Sequence, residues 1–166
     1  LRPAFRKEGG SVTAGNASGL NDGSAALLLA NEAGLTSSNL HPLAQIISSA
    51  VVGVEPRIMG IGPVRASEIA LQRAGITFDD LDVIELNEAF SAQALACIRS
   101  MNLADDDARI NPNGGGISIG HPLGVSGSRI LLAAARQLNR IGGKYALVTL
   151  CIGVGQGYAV VIKNAQ

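Results

Sequence analysis

Two residues of this 166-residue chain, His121 and Cys151, sit in glycine-rich frames: Ile-Gly-His-Pro-Leu-Gly (119–124) and Thr-Leu-Cys-Ile-Gly-Val-Gly-Gln-Gly (149–157). A base and a thiol, each where the backbone can turn tightly and approach a ligand, suggest acid/base or nucleophilic chemistry on a carbonyl. Proline and then a helix follow His121. A nearby helix N-terminus disfavours the imidazolium and keeps the ring neutral near pH 7. An isolated histidine at a turn usually only packs or caps. Within Asn-Pro-Asn-Gly-Gly-Gly-Ile-Ser-Ile-Gly-His-Pro (111–122), where glycine opens the backbone to a ligand, the functional reading is stronger. Cys151 ends an apolar strand and enters a loop with Gly153, Gly155 and Gly157, whose N–H groups could meet an oxyanion. The bland alternative is a small buried hydrophobe. That alternative does win for the other cysteine, Cys97, on the apolar stripe of a helix. Asn87 stands at a strand-to-helix junction, where it reads equally as an N-cap with Glu88 complementing the dipole or as an amide aimed at the site of His121.

Several classes are excluded or weakened. Gly-Val-Gly-Gln-Gly (153–157) leads into a strand, whereas a dinucleotide fingerprint must open a helix. His41, His121 and Cys151 lack paired ligand spacing, so no metal is expected. Thirteen basic residues balance thirteen acidic ones, and three Phe, two Tyr and no Trp supply few stacking platforms, so nucleic acid is not an expected partner. No apolar run reaches the roughly 18 residues that span a bilayer. The two cysteines do not form a secreted disulfide framework, which points to a reducing, cytoplasmic compartment. The chain begins at Leu1 rather than Met, as a processed, truncated or partly recorded chain would.

The elements that must position these residues read as follows. Residues 1–20 are polar, glycine-rich loop. Asn21 or Asp22 caps a helix over Ser24–Ala33 with Gly34 as its stop, and the β-branched run Leu43–Val54 makes a strand. Pro63 opens a helix that Gly75 closes. Asp82–Leu86 is a short strand running into a helix from Glu88 to Met101, and Ser126–Ile141 is a long amphipathic helix. Tyr145–Leu150 and Tyr158–Ile162 are joined too closely for a crossover, so they form an antiparallel hairpin. The order argues for an α/β sandwich around a mixed sheet.

The same motifs resemble the C-terminal part of a thiolase, an enzyme that cleaves or forms 3-ketoacyl-CoA thioesters. The resemblance lies in Thr-Ala-Gly-Asn-Ala-Ser-Gly-Leu-Asn-Asp-Gly (13–23), Met-Gly-Ile-Gly-Pro (59–63), Asn-Glu-Ala-Phe (87–90), the 111–124 stretch and Cys-Ile-Gly-Val-Gly-Gln-Gly (151–157). It implies a thiolase half-fold: a mixed five-stranded sheet with helices on both faces, layered α/β/α. Residues 1–41 would be the end of a loop region and a remnant of the N-terminal half-fold, and 42–166 the C-terminal domain. His121 would activate the family's nucleophilic cysteine and help form an oxyanion hole, and Asn87 would hold that hole's water. Cys151 would be the general acid/base, and the N–H of Gly153 would serve a second oxyanion hole. Ser18 and Met59 would line the pantetheine tunnel, with Ala89 and Phe90 beside the reacting centre. Coenzyme A would be a substrate, with no metal or redox cofactor. The Gly-Val-Gly-Gln-Gly ending looks closer to degradative 3-oxoadipyl-CoA-type thiolases than to biosynthetic ones.

The chain departs from the family in one respect. Thiolases are considerably longer, and their acyl-carrying cysteine lies in an N-terminal half that Cys97 does not replace. The expectation is a chain that needs that half for activity, is inactive alone, and self-associates as a homo-oligomer. The competing readings are a non-catalytic CoA-binding or interaction module, and a Cys–His hydrolase with Cys151 as nucleophile.

Overall fold

The computed structural model describes residues 1–166. After an extended N-terminal segment come α1 (Glu32–Ser38), β1 (Ala44–Gly53), α2 (Gly62–Ala74), β2 (Val83–Leu86) and α3 (Ser91–Ser100). The one-turn α4 (Gly116–Ile119), α5 (Ser126–Ile141), β3 (Tyr145–Ile152) and β4 (Gln156–Asn164) complete it. The sheet order is β1-β4-β3-β2, with β3–β4 and β1–β4 antiparallel and β2–β3 parallel.

Alternation along the strands builds the layers. Leu147, Ala159 and Val161 face α2, meeting Ala66, Ala70 and Leu71, while Ala146, Val148, Val160 and Ile162 face α5, meeting Ile130, Ala134 and Leu138. Strands buried on both faces read as continuous apolar runs, and these do. The helices lie on both faces, so the α/β/α layering holds. Alanine on the inner faces of α2 and α5 lets each helix lie close to the sheet. Pro63 in the first turn of α2, and left-handed Gly75 and Gly142 after α2 and α5, set the helix limits.

The sheet has four strands rather than five. Residues 109–111 occupy the fifth place without becoming a strand. Ile110 bridges Ile84 in parallel, Ile84 N–H donates to Arg109 O at 2.8 Å, and Asn111 N–H donates to Ile84 O at 2.8 Å. There the ladder stops, because Asn111 turns into the left-handed region (φ 46°) and Pro112 has no N–H to offer. The side chain of Asn111 extends the pairing instead, accepting from Leu86 N at 2.9 Å and donating to Leu86 O at 2.8 Å.

The expected helix over 24–33 does not form. Residues 21–31 are irregular, and α1 begins at Glu32, capped by Asn31, whose side chain accepts from Gly34 N at 2.9 Å. The Ala/Leu run has helical propensity but nothing to dock on: Leu28 and Leu29 are 81% and 72% exposed. The helix expected from Glu88 starts at Ser91, so neither Asn87 nor Glu88 caps it.

Candidate active site

The parallel pairing of β2 and β3 places Leu86 opposite Thr149, and Asn87 N–H donates to Thr149 O at 3.0 Å. Asn87 and Cys151 therefore emerge at the same end of the sheet, the carboxyl ends of two parallel strands, where α/β folds commonly hold ligands. Glu88 then ties in the loop that carries His121. Its carboxylate accepts from Asn111 Nδ2 at 3.0 Å and from Ile117 N at 3.2 Å. Gly115 presses against that carboxylate so closely that a Cβ there would collide with it.

His121 is held from several directions. Its backbone N–H lies 3.2 Å from Gly19 O and 3.0 Å from Asn21 Oδ1, so the N-terminal segment grips it. Gly120, beside it, adopts φ 94° and leaves no room for a side chain against Asn21. Nδ1 of the ring is 2.6 Å from Ser126 Oγ, and Nε2 is 3.3 Å from Asn87 Nδ2. Burial, and then the positive charge of Arg129, push the imidazole pKa below its ordinary 6.5. The ring is neutral near pH 7, as expected, although burial and Arg129 rather than a helix terminus supply the cause. Asn87 is 1% exposed, and its Oδ1 is buried with no partner in the chain. An unsatisfied buried carbonyl oxygen costs on the order of 1–3 kcal/mol, and this one is free to accept a further donor.

Cys151, the penultimate residue of β3, is half-buried, and burial pushes its thiol pKa up. It makes no hydrogen bond with His121 or Asn87. Gly153, at the hairpin tip, is exposed, a Cβ there would meet nothing, and its N–H donates to no backbone carbonyl. The hairpin is anchored behind this tip: Val54 N–H donates to Gly155 O at 2.8 Å, and Gly157 lies against the Gly62 backbone at the start of α2. Cys97 is fully buried, donates to Gly60 O at 3.2 Å, and has its thiol pKa pushed up to about 11, chiefly by burial. It is a packing residue.

Ser18 N–H donates to Ala89 O at 3.0 Å, and Ala17 bridges Phe90. Ala89 is buried, and the half-buried Phe90 meets the Phe5 ring edge to face at 5.6 Å. Ser18, Ala89, Phe90, Asn87 and His121 thus form one surface. Met59 stands apart in the turn before α2, against α3 through Gly60, whose carbonyl receives Gln93 and Cys97. Three residues complete the site without having been singled out for it: Asn21, Ser126 and Arg129. Asn21 lay inside the 13–23 motif but read as a helix cap, and Ser126 and Arg129 read as an ordinary helix start and polar face. A concavity of about 500 Å³ lies between α3 and residues 105–110 and touches this surface only through Glu88 and Ile117. The site is an open wall.

The thiolase C-terminal domain family matches residues 40–164, and the thiolase N-terminal domain family matches residues 1–33. The chain belongs to the thiolase family. It is 59% identical over 158 residues to a beta-ketoadipyl-CoA thiolase of Acinetobacter baylyi, covering 95% of this chain and 39% of that protein. It is 55% identical over 164 residues to the 3-oxoadipyl-CoA/3-oxo-5,6-dehydrosuberyl-CoA thiolase of Escherichia coli, covering 99% and 41%. Human mitochondrial 3-ketoacyl-CoA thiolase in complex with CoA superimposes with a TM-score of 0.95 at 50% identity, over 100% of this chain and 41% of that one. The chain therefore spans about two fifths of the length of the thiolases it matches, and most of it corresponds to their C-terminal domain. No group of three or more His, Cys, Asp or Glu side chains is arranged to hold a metal ion, and no helix is long and apolar enough to cross a membrane.

Proposed function

We propose that this chain is one wall of a thiolase active site, acting in CoA-dependent cleavage or Claisen condensation of 3-ketoacyl-CoA. A second wall, in an N-terminal thiolase half, would bring the nucleophilic cysteine. The observation that carries the reading is the pairing of a neutral His121 with a buried Asn87 whose Oδ1 has no partner. A neutral imidazole takes the proton of a thiol, and the imidazolium so formed donates to a thioester oxygen. A water held on Asn87 Oδ1 completes that oxyanion hole. Cys151, its thiol protonated at neutral pH, delivers a proton to the substrate α-carbanion or to the leaving CoA sulfur and takes it back in the reverse direction. The open N–H of Gly153 meets the second oxyanion.

Ser18 and Met59 would flank the pantetheine arm, with Ala89 and Phe90 against the acyl group. Coenzyme A enters as substrate, with no metal or redox cofactor taking part. Residues 42–166 would form the C-terminal domain and 1–41 a connection to the other half. The identities to beta-ketoadipyl-CoA thiolases favour a dicarboxylic 3-oxoacyl-CoA. Two free cysteines suit a reducing, cytoplasmic setting, and an uncovered wall suits a homo-oligomer.

Neither cysteine of this chain can carry the acyl group in this scheme, so the chain alone is inactive. The test is a thiolysis assay with acetoacetyl-CoA and 3-oxoadipyl-CoA, run on the chain alone and mixed with the N-terminal half of a related thiolase. Activity only in the mixture supports the reading. Turnover by the verified 166-residue chain alone, or an acylated Cys151, sinks it.

A further inference from the structure

Ser126 opens α5 with its side chain fully buried, and its hydroxyl has two neighbours. Oγ is 3.1 Å from Pro122 O and 2.6 Å from His121 Nδ1. A hydroxyl has one hydrogen to give and lone pairs to receive. The hydroxyl donates to Pro122 O, a carbonyl that also receives the N–H groups of Val125 and Ser126, and the lone pairs left facing Nδ1 are met when that nitrogen carries the ring proton. The other side of the ring leads to the same assignment. Asn87 Nδ2 can only donate, so Nε2 at 3.3 Å must be the unprotonated nitrogen.

We propose that Ser126 is a positioning residue for His121: it holds the ring proton at Nδ1 and so keeps Nε2, which faces Asn87, as the basic atom. In water a neutral imidazole prefers the opposite tautomer, with the proton on Nε2, and such a ring would offer a donor where the chemistry needs an acceptor. Which nitrogen carries the proton is set by what the other one bonds to. Arg129 braces the arrangement, its Nη1 donating to Gly120 O at 2.8 Å and fixing the backbone that leads into the ring. Arg129 also lies close enough for its positive charge to favour the neutral imidazole, the form in which tautomer choice matters. This assignment rests on His121 acting as a base through Nε2, but its test does not.

The chain has only two histidines, and the other, His41, is exposed, so it reports an unconstrained ring in the same sample. The experiment is long-range proton–nitrogen correlation of the ¹⁵N-labelled 166-residue chain at about pH 7.5, where an imidazole with a lowered pKa is neutral. His121 is expected to show a protonated Nδ1 and a bare Nε2, the reverse of His41. In Ser126→Ala the His121 pattern should move to that of His41, and Ser126→Thr should restore it. Ser126→Cys, a weaker acceptor, should lie between and supplies the readout if the alanine variant does not fold. A wild-type His121 protonated on Nε2 overturns the proposal, and a folded Ser126→Ala chain that keeps the proton on Nδ1 overturns the role of Ser126, since Asn87 alone would then set the tautomer. A chain with the Nδ1-protonated ring but no thiolysis on reconstitution would instead count against the thiolase reading alone.

Discussion

The backbone N–H of His121 donates to Oδ1 of Asn21, one hundred residues earlier in the chain, at 3.0 Å. This contact fastens the loop that carries His121 to the extended N-terminal segment, and Gly120 is pressed against the same amide. Asn21→Ala removes an acceptor but leaves Gly19 O, so the stability loss should be small, about 1 kcal/mol. The loop should loosen more than the fold, read as faster exchange of the His121 amide hydrogen and a roughly tenfold lower kcat after reconstitution. Gly120→Ala adds a Cβ to a left-handed residue with no space, and should cost about 2 kcal/mol or more. An Asn21→Ala chain with unchanged amide exchange would show that the contact does not hold the loop.

Glu85 on β2 is 2% exposed, has an Oε1 with no partner, and has its pKa pushed up to about 7 by burial, with Arg129 pulling it down and Glu88 pushing it up. Its folded-state value lies above the ordinary 4.5, so its contribution to stability is full below about pH 4.5 and is lost as the pH rises through about 7. The loss is on the order of 3 kcal/mol at most. His121 works in the opposite sense, since its lowered pKa gives stability present above 6.5 and lost as the pH falls through the folded value. Comparison with Glu85→Gln separates the two. In urea titrations the variant should gain on the wild type by about 2–3 kcal/mol between about pH 5 and pH 8. Parallel stability curves would contradict the buried, titrating carboxyl.

Asn87 is expected to matter to rate far more than to fold. Asn87→Ala removes the unpartnered Oδ1 and the donor to His121 Nε2 together. In the reconstituted enzyme kcat should fall by about 10²–10³, the usual cost of one oxyanion-hole member, with KM little changed. A loss confined to KM would argue for a role in binding alone.

Both thiols should be sluggish towards iodoacetamide. The pKa of Cys151 is raised and that of Cys97 stands at about 11, so neither presents much thiolate near pH 7. Mass spectrometry should find both alkylated more slowly in the folded chain than in urea, with Cys97 the slower. Faster alkylation of Cys151 in the folded chain would mean an activated nucleophile and would revive a Cys–His hydrolase.

The tip of the Cys151 hairpin holds Val154 at φ 71°, a left-handed conformation that β-branched side chains avoid, with the side chain 85% exposed. Val154→Asn should relieve the strain and stabilise the chain by about 1 kcal/mol, measured by thermal unfolding. A neutral or destabilising result would mean that the tip is unstrained.

The layered fold was legible because its signals are local. Pro63, Gly75 and Gly142 mark helix limits within a residue or two, and the Tyr145–Ile162 hairpin follows from two apolar runs too close to cross over. The failures were residues whose partners lie far away in sequence. The 24–30 run is apolar enough to be an element, but nothing in this chain covers it, and propensity alone does not hold a helix together in water. The fifth strand failed at Asn111, where one side chain substitutes for a ladder. In the site, His121, Asn87 and Cys151 stood out by residue type and glycine frame. Ser126 read as the first residue of a helix and Arg129 as part of its polar face, because their contacts run through the ring and backbone of the loop before α5.

The sealing of β2 by Arg109, Ile110 and Asn111 also makes the two margins of the sheet unequal. Along β2 the N–H of Leu86 and the carbonyls of Ile84 and Leu86 are already engaged, whereas no strand pairs with the outer margin of β1. An unpaired margin can recruit a neighbouring chain, but growth into a fibril needs two, one to dock on and one to offer onward. This molecule presents only one. Misassociation through its sheet should end at a pair joined β1 to β1, a self-terminating aggregate rather than a propagating one.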